Sequence, residues 1–286
     1  MKKTIFQLVL FWICLAITGF GQEEAAEKKV DDRPVSSTFE SSMLIDNQTN
    51  IIPDKKTLEM QIQHRFGPMT NGFSDLFGIY APGANIRMGF NYSITDRLLV
   101  GYGLTKKNMY SDFQAKYALL RQTRSGRIPL SITLYANAAI DSRDKEVFGE
   151  DYKFIDRMSY FGQVIISRKF ADWLSLQIHG SYTHYNLVDL YTDHDKIGVG
   201  INGRIKFSPQ SSIIFQYDHP ISFQGYSDSK PNLGFGYEVS TFTHAFQIYV
   251  GTAQGILQQD NYMWNQNDFT KGEMMFGFTI TRLWQF

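Results

Sequence analysis

The 286-residue chain contains a single cysteine, Cys14, which excludes a disulfide scaffold and a multi-cysteine zinc site. It has no net charge, with 28 Lys and Arg against 28 Asp and Glu. The cationic surplus that a general nucleic-acid binder needs for phosphate affinity is therefore missing. Beyond the N-terminus no apolar run approaches the ~18 residues of a membrane-crossing helix. No glycine-rich phosphate loop leads from a strand into a helix, so no nucleotide, flavin or other cofactor is expected. Aromatics are plentiful instead: 15% of the chain, with 23 Phe and 16 Tyr. That is too apolar and aromatic for a disordered protein.

The N-terminus reads as a secretory signal peptide over 1–21. Lys2 and Lys3 form a positive region, Thr4 to Ile17 an apolar one, and Gly19 and Gly21 supply the small residues before a cut at Gln22. Cys14 is lost with it, and a lipoprotein signal is disfavoured because Trp12 and Ile13 precede that cysteine. Residues 22–55 form a periplasmic linker and N-terminal segment. Its first part is highly charged, and 35–53 is mostly polar with one apolar patch at Met43 to Ile45. Whether 35–53 plugs a lumen or sits below it stays open at this stage.

From Lys56 onward the chain alternates with period two, the mark of strands with one apolar face. In 56–66, Leu58, Met60, Ile62, His64 and Phe66 oppose Glu59, Gln61, Gln63 and Arg65. The same pattern recurs at 85–94, 97–104, 110–121, 128–140, 157–169, 173–182, 196–207, 212–219, 232–240, 242–252 and 273–286. In 157–169, Phe161 and Ile165 blur it. About twelve strands of roughly nine to twelve residues result, long enough to cross a bilayer at a tilt of ~45°. Connections alternate in length: short at 95–96, 122–127, 170–172, 208–211 and 240–241, longer at 67–84, 141–156, 183–195, 220–231 and 253–272, with 105–109 the one short connection on that second side. Short periplasmic turns and long external loops predict an all-β, transmembrane, antiparallel up-and-down β-barrel over 56–286, with both ends periplasmic. A soluble sandwich would alternate too. The aromatics near strand ends on the apolar face (Phe66, Tyr92, Tyr182, Tyr217, Trp284 and Phe286) favour a lipid-facing girdle, as do Arg121, Arg168 and Arg282 at periplasmic strand ends, where they can snorkel to headgroups.

Phe278 to Phe286 alternates and ends in a terminal Phe. It resembles the C-terminal strand signal of outer-membrane proteins, which implies recognition by the barrel assembly machinery. The segments QIQHRFG (Gln61 to Gly67), DLFG (Asp75 to Gly78), AKYALLRQ (Ala115 to Gln122) and GFTITRLWQF (Gly277 to Phe286) carry a wider resemblance, running from about Leu44 to Phe286. They resemble a family of outer-membrane β-barrels of Gram-negative bacteria catalogued as a domain of unknown function. The resemblance implies a fold and an outer-membrane location with lipid as partner, and no activity.

The inward charges expected from parity are Glu59, Arg65, Arg87, Asp112, Lys116, Arg157, Arg204, Lys206, Asp218 and Glu238. Mixed charge in a confined interior is either cross-lumen ion pairing or a selectivity constriction, and a wall narrower than the 16–18-stranded porins favours the first. Inward glycines (Gly101, Gly103, Gly198, Gly200, Gly234, Gly236, Gly277) either ease curvature or leave room for a solute path. His179-Gly180-Ser181 matches the His-x-Ser spacing of outer-membrane phospholipase A, but both side chains share the polar, inward parity, away from lipid. Loop 183–195 gathers His184, Asp189, Asp193, His194 and Asp195 without diagnostic metal spacing. Loop 253–272 is polar with aromatic punctuation, suited to a sugar, a partner, or capping the pore. The expected task is passive or weakly selective passage of small solutes through a narrow channel, lined by Glu59, Arg65, Arg87, Lys116, Arg204, Lys206 and Glu238. The alternative is a closed scaffold acting through its external loops. A lipid hydrolase ranks last, and no enzyme activity is expected.

Overall fold

The computed structural model describes residues 30–222 and 229–286. The expected signal peptide with Cys14, the linker residues 22–29, and the tip of the loop around 223–228 lie outside the described residues.

Two short strands, β1 (Met43–Leu44) and β2 (Asn47–Gln48), form a small hairpin. Twelve more make one closed antiparallel barrel: β3 Thr57–Pro68, β4 Asn85–Thr95, β5 Leu98–Thr105, β6 Ser111–Leu120, β7 Ser131–Ile140, β8 Met158–Ala171, β9 Leu174–Tyr185, β10 Asp195–Lys206, β11 Ser211–Ser222, β12 Asn232–Ser240, β13 His244–Gly251 and β14 Met275–Gln285. Each pairs with its sequence neighbour, and β14 closes the wall on β3 through pairs such as Ile280 with Ile62. Closure satisfies every backbone ladder internally, which a wall in hydrocarbon requires. One short helix, α1 (Gln258–Trp264), lies between β13 and β14. Among the described residues no helix is long and apolar enough to cross a membrane.

Alternation sorts side chains by solvent in an inverted sense. Along β3 every second residue is buried, and the buried set is Thr57, Glu59, Gln61, Gln63, Arg65 and Gly67. The outer surface instead exposes Tyr92, Phe113, Val164, Ile178, Phe235 and Ile248. A soluble protein cannot leave so wide an apolar belt in water, whereas lipid covers it at no cost. The girdle residues lie on this outer face: Tyr92 is 40% exposed, Tyr182 48% and Phe286 78%, with Phe66, Tyr217 and Trp284 partly exposed. Arg282 lies over the Trp284 ring at 4.7 Å, on the rim near the C-terminus. His64, outward as its parity requires, stacks on Phe278 with centroids 5.1 Å apart.

One connection differs from its sequence reading. The turn between β6 and β7 runs over 121–130, so Ile128 and Leu130 precede the strand rather than extend it. Pro129 offers no N–H to the ladder, and the turn is engaged from the N-terminal side. Pro34 bridges Thr123, the Val35 N–H donates to the Gln122 carbonyl at 2.8 Å, and Asp32 pairs with Arg127 at 3.3 Å. This contact moors a stalk at the short-turn end, and the chain turns from there into the barrel.

Candidate functional site: a lumen closed by two inserts

Residues 38–49 are buried almost throughout, yet they belong to no wall strand. They occupy the lumen. The hairpin β1–β2 turns at Ile45 and Asp46. Ile45 sits at φ 57, the left-handed region that a β-branched residue enters at a cost of ~1–3 kcal/mol. The surroundings impose it. The Ile45 N–H donates to Gln247 at 2.9 Å, the Asp46 N–H donates to Gln216 at 3.0 Å, and the Ile45 side chain packs with Phe39, Leu44, Ile214 and Tyr249. Burying Leu44 and Ile45 in that cluster contributes ~1.5–3 kcal/mol each.

Polar contacts fasten the same segment to seven wall strands. Ser42 donates to Glu59 of β3 at 2.7 Å, and Asp46 pairs with Arg65 of the same strand. Lys116 of β6 donates to the Ser42 carbonyl at 2.9 Å, and Gln177 of β9 to the Gln48 carbonyl at 2.7 Å. Arg204 of β10 holds Glu40 at 2.5 Å, with Lys206 3.4 Å from the same oxygen. Asn47 donates to Asp218 of β11 at 2.8 Å, Gln247 of β13 donates to the Met43 carbonyl at 3.0 Å, and Ser41 meets Thr281 of β14 at 2.9 Å. Bonds to strands on all sides place this plug across the barrel's section.

The second insert enters from the long-loop end. Helix α1 is buried from Gln258 to Met263. Tyr262 packs with Tyr135, Phe161 and Ile165, stacking on Phe161 at 5.8 Å. Its hydroxyl lies 3.0 Å from His179 Nε2 and donates to Asp218 at 3.3 Å. Gln259 donates to Asn137 at 2.8 Å, and Asp260 accepts from Tyr110 at 3.1 Å and from Tyr185 at 2.7 Å. Burial, aided by that carboxylate, pushes the Tyr110 hydroxyl well above the ordinary phenol range, so it stays a donor. The two inserts touch where Gln258 donates to Asn47 at 3.2 Å, and both bond the carboxylate of Asp218.

The inward face of the wall carries seven cations, Arg65, Arg87, Lys116, Lys169, Lys196, Arg204 and Lys206, against four carboxylates, Glu59, Asp112, Asp218 and Glu238. All are deeply buried except Lys169 and Lys206, which are partly exposed near the short-turn end. Arg87 forms a bidentate pair with Asp112 within the wall, at 2.9 and 2.6 Å. The surplus cations meet Glu40 and Asp46, which the plug brings. Parity misplaced Arg157: it ends the 3-10 turn Phe154–Arg157, before β8 begins at Met158, and bonds loop carbonyls at the rim. Lys196 takes the inward place instead, donating to the Met263 carbonyl at 3.3 Å.

The inward glycines make room for these contents. A Cβ at Gly198 would overlap the Tyr262 ring, one at Gly200 would meet His179 and Asp218, and one at Gly103 the Arg87–Asp112 pair. They are sites of close approach rather than of curvature or an open path. Ser181 points inward beside His179, remote from lipid. In loop 183–195, His184 Nδ1 lies 2.6 Å from Asp195 and His194 Nδ1 2.7 Å from the Tyr185 carbonyl, and no metal-holding group forms among the described residues.

Comparison with known proteins places this architecture. The family model described as a membrane-bound beta barrel domain matches residues 39–284, so it includes the plug as well as the wall. The structure is similar to that of the NanC porin, with a TM-score of 0.51 at 10% identity over 79% of this chain and 98% of that one. It is also similar to an outer membrane channel from Pseudomonas putida F1, with a TM-score of 0.50 at 10% identity over 82% of this chain and 97% of that one. At such identities the likeness is one of fold. No curated protein matches the sequence.

Proposed function

We propose, from the premise that the chain belongs to the family of the Membrane bound beta barrel domain (DUF5777), that it is an outer-membrane channel for small solutes held shut by a removable plug. One observation carries this reading. The wall itself is lined by polar and charged side chains, and the occluding groups belong to separate inserts. A barrel built only as a scaffold can fill its lumen from its own wall, as small barrels do. Here the stopper is a loop of some fifteen residues, moored at Pro34 and again at β3, with polar bonds that water can replace. Within the wall, Gln163 and one oxygen of Glu238 have no protein partner among the described residues, as befits a surface designed to be wet.

Export through the N-terminal signal and assembly through the C-terminal strand complete the proposal and set the long loops outside. Glu59, Arg65, Arg87, Lys116, Arg204, Lys206 and Glu238 then line the solute path. With the plug out, the path keeps its cation surplus and favours anions. Planar-bilayer recordings under a salt gradient test this: the open state should show anion preference, and Arg204→Glu together with Arg87→Glu should shift the reversal potential toward cations. A refolded, heat-modifiable barrel that never conducts, even with its plug replaced, would instead support the closed scaffold.

A further inference from the structure

At the long-loop end the barrel opens into a cleft of about 390 Å³, the size of a small-molecule site. Its walls come from three separate loops, and its floor is the end of α1. Three cations line it, Lys107, Arg143 and Arg157, against three carboxylates, Asp141, Asp156 and Asp189. The cations are already occupied. Arg143 pairs with Asp141 at 2.6 Å, and Lys107 with Asp260 below at 3.2 Å. Arg157 Nε donates to the Tyr152 hydroxyl at 2.6 Å, and its Nη1 to the carbonyl of Asp141 at 2.8 Å. A strongly anionic or cationic ligand therefore finds no surplus of opposite sign.

What the cleft offers is aromatic surface beside fixed polar groups. Trp264 meets Tyr185 edge to face at 5.4 Å, and Arg157 lies over the Phe148 ring at 4.6 Å; both aromatics line the cleft. Aromatic faces suit C–H-rich ring faces, and the paired Arg143–Asp141 groups can donate to and accept from hydroxyls at the ring edge. We infer that this cleft is a binding site for a neutral saccharide of about one to three rings. Trp264 is its stacking platform, and Arg143 with Asp141 its polar contact. Trp264 closes the helix that contacts the plug through Gln258, so a sugar bound there sits on the insert next to the one that must move for passage. In naming a solute the inference rests on the channel reading, but binding itself is measured without conductance.

The refolded mature protein in detergent is titrated with glucose, maltose, maltotriose and cellobiose, and with trigalacturonate as the acidic counterpart. Tryptophan emission and calorimetric heat are both recorded. At least one neutral sugar should bind saturably, with an affinity that salt leaves unchanged. Trp264→Ala should weaken it about ten-fold or more, as loss of a central aromatic anchor does. Arg143→Ala should weaken it as well, while Trp173→Phe, in the opposite short turn, should not. Heat-modified mobility shows that each variant still forms the barrel. Absence of saturable binding to all four neutral sugars, binding confined to trigalacturonate, or binding indifferent to Trp264→Ala would overturn the inference. A barrel that binds sugar but never conducts would retain the site and refute the channel.

Discussion

Replacing Ser36–Ile52 with a Gly-Ser linker of equal length should raise the time-averaged conductance of the barrel by ~10- to 1,000-fold. The estimate follows from treating plug-in and plug-out as two states a few kcal/mol apart, which leaves the open state ~0.1–10% populated in the intact chain. The linker keeps both moorings and removes the apolar cluster around Leu44 and Ile45, the bond from Lys116 and the pair with Arg204. It also removes Glu40 and Asp46, so the current should be carried by anions in preference to cations. Helix α1 remains and limits the pore from the other end, which makes the conductance that of a narrow channel. Thermal unfolding of the wall should change little, since none of its ladders involves the plug.

Asp46→Ala should open the channel through a single carboxylate. Arg65 is fully buried and sits over the Tyr249 ring at 5.0 Å, with Asp46 as its ion-pair partner. Removing one member of a buried pair leaves an uncompensated charge, a penalty of ~3–5 kcal/mol. A soluble core would have to bear that cost or unfold. Here the plug can leave and water can reach Arg65, so the penalty falls on the closed state alone. The ratio of open to closed states should rise by ~100- to several-thousand-fold, since each 1.4 kcal/mol is a factor of ten, which carries the barrel to mostly open. Asp46→Asn, which keeps an acceptor for the guanidinium, should show a smaller rise. Single-channel recordings of both variants, beside their melting curves, separate loss of closure from loss of fold. A lower melting temperature with unchanged gating would assign the pair to the wall's stability instead.

The wall was legible because a strand between lipid and a polar lumen must alternate, and twelve segments of this chain do. Their number, direction and facing follow from side-chain period and loop length, as Leu58 against Glu59 or Ile178 against His179 illustrates. The plug was not legible. Residues 36–52 have no period, and their structure is imposed by partners as distant in sequence as Gln216 and Gln247. Traces of both inserts were nevertheless present as departures from alternation. Phe161 and Ile165, which blurred the pattern of β8, are inward apolar residues awaiting Tyr262. Ile214 and Tyr249 play the same part for Leu44 and Ile45. Gly198, on the polar face, marks where the Tyr262 ring approaches the wall. An apolar residue or a glycine on the wet face of a barrel strand therefore points to something packed inside. Arg157 was misassigned for a local reason: a 3-10 turn ends the loop one residue later than periodicity alone suggests.

The most direct test locks the plug in place. Ser41 on the plug and Thr281 on β14 bring their hydroxyl oxygens within 2.9 Å, near enough for Ser41→Cys with Thr281→Cys to close a disulfide of ~2.05 Å. The sequence has no cysteine beyond Cys14, so after removal of 1–21 the pair has no competitor. Single-channel conductance of this variant is recorded oxidised and then after addition of reductant to the same bilayer. The account predicts silence while the bond is closed and the openings of the unlocked barrel once it is reduced. Equal conductance in both states, or silence in both, would contradict it.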